Sequence, residues 1–320
     1  MGKWTLPLTT GGQMEKDTGI YYQTMTNREV EERLKVNDIL LLPIGSTENH
    51  GANAPYGEDT FLDTRICEQV AQATGCTVAE PIWYGSHPYH HLGMPGTIII
   101  PEDILSDYIS YVFAGFWNTG FRKIIVVNGH GQDYVIPAAI HKFGKKWQVP
   151  SIILYYHFWK GAGKLLSTKE KGGMFDDSFI HADEVEQSYS MALFPEFCKQ
   201  EYAEETKPSR LIPPGHVNNS AEDLDAPINW YNALGSTAME CIHTPEGVIG
   251  NPKKADASKA IPGLERILDR LELMVNDILA TYPAGELPPI DQVTQRKRED
   301  IEAVIQGPTK GGRHLYTLEY

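Results

Sequence analysis

Short, uninterrupted runs of apolar residues alternate with longer amphipathic stretches along the first half of the chain. The runs lie at residues 39–44, 77–79, 123–127 and 151–155. Apolar runs of this length are typical of strands buried on both faces. The stretches around them predict helices at residues 27–35, 102–118 and 134–147. Strand, helix and strand in succession predict βαβ units, and therefore an α/β fold with a mainly parallel central sheet.

The pattern loosens after residue 156. A short helix is predicted at residues 183–193, and the apolar positions of residues 264–278 fall on one face of another helix. The polar, proline-containing segment 201–230 is too long for a simple connection, so we expect it to shape a rim or a subunit contact. No break in composition divides the chain. We therefore predict a single domain, residues 1–320, with an irregular N-terminal arm (1–25) and a C-terminal extension (283–320).

Composition and charge exclude several classes of partner. The 320 residues carry 28 Lys and Arg against 42 Asp and Glu, a formal charge of −14 that repels nucleic acid. No segment approaches the roughly 20 apolar residues that cross a bilayer, and the N-terminus lacks a signal pattern. The four cysteines are scattered, which favours reduced thiols over a disulfide. We expect a cytoplasmic protein without a nucleic-acid or membrane partner.

Candidate chemistry begins directly after the first predicted strand, in residues 45–60. Glu48 and His50 are two residues apart, so in an extended segment their side chains point the same way at the carboxyl end of the strand, where α/β sheets bind ligands. Asp59 follows a loop with two glycines and a proline that can return the chain to the same point. The alternative is that Glu48 and His50 only satisfy loop backbone, and that Asp59 caps the next helix.

Two further clusters favour the functional interpretation. Asn-Gly-His-Gly-Gln at residues 128–132, with His130, follows another buried strand. His181 precedes a predicted helix that carries Glu184 and Glu186. Nitrogen and oxygen ligands in this mixture suit zinc or manganese, and their oxygen-rich character without cysteine disfavours a purely structural zinc site. A carboxylate shared by two ions would hold them roughly 3.5–4 Å apart and favour hydroxide formation near neutral pH.

Together and in this order, the three segments resemble the creatininase family of metal-dependent hydrolases over about residues 26–280. The resemblance implies a three-layer α/β/α fold, two divalent ions per subunit (zinc, manganese or both) and a homo-oligomer, often a hexamer. It assigns the metal ligands to Glu48, His50, Asp59, His130 and Glu186, with Asp59 bridging the ions. It also assigns proton transfer to His181, for which the alternative is a histidine that only orients Glu186 or Asp59.

The sequence departs from the members of the family that hydrolyse creatinine. Those members carry glutamate where this chain has Gln132, and tryptophans where it has His157 and Asp177. Trp159 could replace the first tryptophan only after a shift in register. Creatinine is therefore not the substrate that we expect.

The segment 83–97 contributes three more histidines, His87, His90 and His91. They are candidate metal ligands, but histidines grouped in a loop more often line a polar pocket. We therefore predict that they bind substrate together with Gln132 and His157. Such a pocket beside the ions would suit a polyhydroxylated ring.

Over nearly its whole length the chain is most similar to a subgroup that opens diketo-inositols. The predicted reaction is hydrolysis of a carbon–carbon bond in a small cyclic diketone of the 3-dehydro-scyllo-inosose type, in inositol catabolism. Water adds to one ketone, and the neighbouring carbonyl delocalises the expelled carbanion. Two alternatives stay open: hydrolysis of a small cyclic amide or formamide, and a non-catalytic metal-binding protein, whose coordination would be closed rather than open to water.

Overall fold

The computed structural model of the protein describes residues 3–4, 19–207, 216–218, 228–229, 246–289 and 294–318. Its strands are β1 (Ile39–Pro43), β2 (Thr77–Val78), β3 (Lys123–Asn128), β4 (Ile152–His157), β5 (Val217–Asn218) and β6 (Ile228–Asn229). Its α-helices are α1 (Asn27–Leu34), α2 (Glu58–Thr74), α3 (Glu102–Thr119), α4 (Ile136–Trp147), α5 (Phe158–Ala162), α6 (Glu184–Leu193), α7 (Ala257–Thr281) and α8 (Arg298–Gln306). The predicted strands and helices are all present, with bounds that differ by a few residues.

The central sheet has the strand order β2-β1-β3-β4, and every neighbouring pair is parallel. Leu41 of β1 pairs with Val78 on one side and with Ile125 on the other. The prediction of a parallel α/β sheet is therefore confirmed. Because all four strands run the same way, their carboxyl ends meet at one edge.

Alternate residues of the strands supply two separate hydrophobic cores. Leu40 and Leu42 of β1 belong to a core that they form with residues of α3, α4 and α8. Ile39 and Leu41 belong to a second core, formed with residues of α2, α6 and α7. Since successive side chains of a strand point to opposite faces, the two cores lie on the two faces of the sheet. The three-layer α/β/α arrangement implied by the family resemblance is confirmed.

Helix α2 is the main element that the hydrophobic pattern did not predict. Most of its residues are buried, including polar and charged ones, so it lacks the amphipathic pattern of a surface helix. Arg65, for example, is fully buried and donates a hydrogen bond of 3.0 Å to Glu68 on the same helix. The helix matters for the site because its first turn carries Asp59.

The C-terminal extension packs against α3. Ile301 and Val304 of α8 are buried in the core on that face of the sheet. The indole nitrogen of Trp117 donates to the carbonyl of Val304 at 3.2 Å, and the amide of Leu315 donates to the side chain of Asn118 at 2.7 Å. The described part of the extension thus adds apolar surface to this layer.

Some predictions fall on residues outside the described ranges. Most of the predicted N-terminal arm, residues 5–18, is among these, as is much of the segment 201–230. The expected rim or subunit contact therefore stays a prediction. Among the described helices, none combines the length and the apolar character that crossing a membrane requires.

A buried ion pair joins the start of β3 to the loop before β1. The Lys123 ammonium lies 2.6 Å and 2.7 Å from the two carboxylate oxygens of Asp38, and both residues are almost fully buried. Lys123→Met should destabilise the protein by about 3–5 kcal/mol in urea unfolding, because it leaves Asp38 buried without its counter-charge. Lys142→Met, which breaks the more exposed pair with Asp107, is the control, expected to cost less than about 1 kcal/mol. Equal, small losses in the free energy of unfolding of the two variants would contradict the prediction that Asp38 depends on Lys123 for its counter-charge.

Candidate metal centre

The loop after β1 packs closely against the first turn of α2. A Cβ atom at Gly45 would lie 2.5 Å from the Cα atom of Thr60, so only glycine fits this approach. The Thr60 hydroxyl donates to the carbonyl of Ser46 at 3.1 Å, and the Ser46 hydroxyl donates to Asp59 Oδ2 at 2.7 Å. These contacts hold Asp59 at the carboxyl edge of the sheet. The predicted return of the chain to this point is confirmed.

Glu48 lies at the centre of a group of buried imidazoles. Its Oε1 atom is 3.1 Å from Nδ1 of His130 and 3.4 Å from Nε2 of His50. The same oxygen is 3.7 Å from Nδ1 of His181. Imidazoles from three separate parts of the sequence thus converge on the carboxylate of Glu48. The side chains of Glu48 and His50 lie close together, as their spacing in the sequence predicted.

Asp59 lies between two of these imidazoles. Its Oδ2 atom is 3.2 Å from Nδ1 of His130, and its Oδ1 atom is 3.8 Å from Nε2 of His50. Oε2 of Glu186 is 3.9 Å from the same nitrogen of His50. Asp59 therefore presents one carboxylate oxygen to each of two buried imidazoles.

The protein backbone fixes one nitrogen of each imidazole. Nδ1 of His50 is 3.3 Å from the carbonyl of Glu48, Nε2 of His130 is 2.8 Å from that of Ser86, and Nε2 of His181 is 3.0 Å from that of Asn49. A carbonyl only accepts hydrogen bonds, so each of these nitrogens carries the proton. In the neutral ring the other nitrogen then presents a lone pair to the carboxylates, whereas in the protonated ring it donates to them. Metal-binding histidines are oriented in this way.

The start of α6 positions Glu186. Asp183 caps the helix by accepting from the amides of Val185 and Glu186 at 2.8 Å and 3.3 Å. Ala182 has a positive φ of 49°, a strained conformation for alanine, and its amide donates to Oε2 of Glu186. Glu184 points elsewhere, since its side chain pairs with Lys259.

Glu58 is a residue of the centre that the sequence analysis did not single out. Its side chain is fully buried, and its Oε2 atom lies 3.7 Å from Nε2 of His50. Ser190 donates to its other oxygen. The available signal was the Glu-Asp pair of Glu58 and Asp59, but acidic residues in a first helical turn are also explained by the helix dipole.

Burial and mutual charge shift the pKa values of these groups. Burial raises the pKa of Glu58 and Glu186 well above the usual range, and the neighbouring carboxylates add to the effect. Burial also opposes ionisation of Glu48, but the charges of His130 and other imidazoles outweigh it and hold its pKa well below the usual range. Burial lowers the pKa of His50 to about 4. Glu58 and Glu186 therefore ionise readily only when positive charge lies close to them.

The residues fit divalent cations. Nε2 of His50 and Oε2 of Glu58 are buried without any hydrogen-bond partner, which is costly unless another group meets them. Ligand atoms of three sets of residues lie within 4.8 Å of one another: Glu48, His87, His91 and His130; Glu48, His50 and His181; and His50, Asp59 and Glu186. Buried nitrogen and oxygen donors of this kind suit zinc or manganese.

The five residues predicted to bind substrate do not all lie in the cluster around Glu48. His87 and His91 lie against Glu48 within the cluster, and the side chain of His90 is outside the described part of the structure. The Gln132 amide is fully buried and donates to Asn128 Oδ1 at 2.8 Å and to the carbonyl of Gly45 at 3.1 Å.

The fifth of these residues, His157, lies at the end of β4 with Nε2 3.3 Å from Oδ2 of Asp133. It is buried at the same edge of the sheet as the cluster. For all five residues, binding of substrate stays a prediction.

Removing divalent ions should lower the melting temperature. Ions that bind only the folded state stabilise it by about 3–4 kcal/mol at 100–1,000 times Kd, which corresponds to about 5 °C for a chain of this size. Differential scanning fluorimetry before and after chelation, and after zinc is restored, measures the shift. The Asp59→Ala variant should not respond to either treatment. An unchanged melting temperature in the original protein would contradict a metal centre built from buried acids.

Comparisons with known proteins identify the family of this chain. The family profile described as creatinine amidohydrolase, creatininase, matches residues 23–275. A 3-dehydro-scyllo-inosose hydrolase of Thermotoga maritima is 54% identical over 305 residues, covering 95% of this chain and 98% of the relative. Creatinine amidohydrolase of Pseudomonas putida is 23% identical over 208 residues, covering 61% of this chain and 79% of the relative.

Solved structures share the fold. A structure named creatininase Mn aligns with a TM-score of 0.65 at 20% identity, covering 84% of this chain and 99% of the other. A mutant creatininase of the Zn-Zn type aligns with a TM-score of 0.64 at 20% identity, covering 85% of this chain and 100% of the other. Similarity at this level of identity concerns the fold alone. With the family profile matched over most of the chain and a hydrolase as a relative over nearly all of it, this protein is a hydrolase that belongs to the creatininase family.

Proposed function

We propose that this hydrolase opens a small polyhydroxylated cyclic diketone of the 3-dehydro-scyllo-inosose type by hydrolysing a carbon–carbon bond, as a step of inositol catabolism. The observation that carries the proposal is the relationship to the Thermotoga hydrolase, 54% identical over 95% of this chain and 98% of that one. The metal-binding geometry supports the same conclusion, because hydrolysis needs an activated water and a polarised carbonyl.

Two divalent ions, zinc, manganese or both, are part of the proposal. Glu48, Asp59 and His130 would hold one ion, while His50, Asp59 and Glu186 would hold the other. When bound, such ions polarise a carbonyl and lower the pKa of water. Structures of the manganese form and of a Zn-Zn form among the creatininases support this choice of metals.

His181 is the residue proposed to move protons. Its Nε2 atom is held by the Asn49 carbonyl at 3.0 Å, which leaves Nδ1 free to accept or donate a proton. Nδ1 lies 3.7 Å from Oε1 of Glu48 and 3.8 Å from Oε2 of Glu186, so it faces the centre of the site. An imidazole suits this work because its pKa is ordinarily near neutral pH.

The proposed reaction uses one water molecule. The water oxygen forms a bond to one carbonyl carbon, and His181 Nδ1 takes a proton from that oxygen. The bond between this carbon and the carbon that separates the two ketones then breaks. Its electron pair is delocalised by the second carbonyl, and the proton held by His181 is returned to the new carbanion carbon. The products are joined in one open-chain keto acid, which releases a proton at neutral pH.

Creatinine is poorly suited to this site. Trp159, the candidate for an indole beside the substrate, lies in α5 directly after β4 and is fully buried in the core. Its ring lies 4.8 Å from that of Phe179 and 4.7 Å from that of Tyr189. Gln132, where creatinine-hydrolysing members carry a carboxylate, is occupied by hydrogen bonds within the protein.

A substrate panel tests the proposal. Purified protein loaded with zinc or manganese is incubated with keto- and diketo-inositols, creatinine and small formamides, and the products are followed by NMR. We expect turnover of a diketo-inositol, with one carboxylate formed per ring opened. Turnover confined to cyclic amides or formamides would refute carbon–carbon cleavage and favour the amidohydrolase alternative. Chelated protein serves as the blank.

The proposal also includes assembly of the protein into a homo-oligomer, a hexamer by family resemblance. It places the protein in the cytoplasm. Free thiols at Cys67, Cys76 and Cys198 are consistent with a reducing compartment. Light scattering coupled to size-exclusion chromatography measures the assembly directly, and a mass of one subunit would contradict it.

A further inference from the structure

Two histidines of the segment 83–97 meet the second oxygen of Glu48. Nδ1 of His87 lies 2.9 Å from Glu48 Oε2, and Nδ1 of His91 lies 2.7 Å from the same atom. The two nitrogens are 3.4 Å apart. Each of the three side chains is buried. The other oxygen of Glu48 faces His50, His130 and His181, so the carboxylate has imidazoles on both sides.

The tautomer of His87 is set in the same way as that of His130. Nε2 of His87 is 3.2 Å from the carbonyl of Ile98, which can only accept, so this nitrogen carries the proton. In the neutral ring, Nδ1 then presents its lone pair to a carboxylate oxygen 2.9 Å away. Two lone pairs repel at that distance, so a cation lies between or beside them: either a proton on Nδ1, which then donates to Glu48, or a metal ion. His130 shows the same arrangement, with Ser86 as its backbone anchor.

The spacing of these atoms matches one coordination sphere. Donor atoms bound to a single zinc ion at roughly 2.1 Å lie about 3.0–3.5 Å from one another. Among Glu48 Oε2 and the two imidazole nitrogens, the distance of 3.4 Å lies within that range, and the distances of 2.9 and 2.7 Å lie slightly below it. His130 also belongs to this set, whose ligand atoms lie within 4.8 Å of one another.

The segment that carries the two histidines is attached firmly to the loop after β1. The amide of Asn49 donates to the hydroxyl of Thr97 at 3.1 Å, and its side chain donates to the carbonyl of Pro95 at 3.0 Å. The amide of Ile98 donates to the carbonyl of Thr47 at 3.0 Å. These bonds hold the segment beside Glu48 and so preorganise the imidazoles.

We propose that His87 and His91 are metal ligands, which complete with Glu48 and His130 the coordination of a divalent ion. This inference rests on the metal centre of the proposed function and replaces, for these two residues, the expected role in binding substrate. It assigns to the segment 83–97 a direct part in metal affinity. The chemistry is that of a nitrogen-rich site, which favours zinc over magnesium or calcium.

Metal affinity measured without substrate tests the inference. Apo forms of the original protein, His87→Ala, His91→Ala and the control His141→Ala, which removes an exposed histidine of α4, are titrated with zinc against a chromophoric chelator. Loss of a ligand should weaken zinc binding at one position by at least about 10–100-fold. The visible absorption of the cobalt-substituted protein should also change in both site variants. The control should match the original protein in both measurements.

The possible outcomes separate the two proposals. Zinc affinity and cobalt absorption that stay unchanged in both site variants would overturn the inference, and a raised KM alone would return the histidines to substrate binding. Unchanged zinc affinity is also the result expected if a proton, and not a metal ion, lies between His91 and Glu48, so this result counts against the inference in either case. If the original protein binds no zinc at all, the proposed function fails instead. His87→Gln and His91→Gln, checked by circular dichroism, replace any alanine variant that does not fold.

Discussion

Replacing Asp59 with alanine should remove bound metal and nearly all activity. The two oxygens of this carboxylate face different imidazoles, with Oδ2 at 3.2 Å from His130 and Oδ1 at 3.8 Å from His50. If Asp59 bridges two ions, its loss weakens both positions at once. We expect turnover to fall by on the order of 10³-fold or more, because both the polarised carbonyl and the activated water depend on the ions.

Elemental analysis after gel filtration measures the metal content of Asp59→Ala, and steady-state kinetics measures its turnover. Asp63→Asn is a matched control, one turn further along α2 and equally buried. Burial, together with the charge of Asp59, raises the pKa of Asp63 well above its usual range, and asparagine keeps the size and shape of that side chain. Asp63→Asn should keep its metal. A full complement of ions in Asp59→Ala would contradict the bridging role.

Replacing His181 with alanine should lower kcat by about 10²–10⁴-fold while the metal content stays normal. The physical reason is that its Nδ1 atom faces Glu48 and Glu186 at 3.7 Å and 3.8 Å, while neither of the two proposed ligand sets includes His181. The proton that His181 moves would then have to be exchanged with water.

Chemical rescue separates proton transfer from a merely orienting role. If His181 moves the proton, small imidazoles added to the buffer restore part of the rate of His181→Ala and leave the rate of the original protein unchanged. Loss of bound metal in this variant would show that His181 is a ligand. Unchanged turnover would leave it a structural residue.

Much of the site was accessible to sequence reasoning because its parts are local. Glu48 and His50 are two residues apart in an extended segment, and this spacing alone directs both side chains to one side. His130 follows a buried strand that is adjacent to β1 in the sheet, so it had to reach the same edge. The order of the three segments indicated the family before any contact was known.

Other residues of the centre could be assigned only from contacts. Glu58 looked like an ordinary acid at the start of a helix, and the many buried polar residues of α2 concealed that helix from the hydrophobic pattern. His87 and His91 looked like the polar lining of a pocket, since nothing in their spacing refers to Glu48, which lies 39 residues before His87.

The parallel α/β sheet, the family and the motif residues could all be predicted from the chain's residue order, because apolar periodicity and short motifs are properties of neighbouring residues. The folded protein was needed to show which nitrogen of each imidazole faces the acids, because that nitrogen is selected by carbonyls as distant as that of Asn49, 132 residues from His181. It was also needed to show that the segment 83–97 lies against Glu48. Such contacts depend on how the helices and loops pack around the sheet, and no local pattern records that packing.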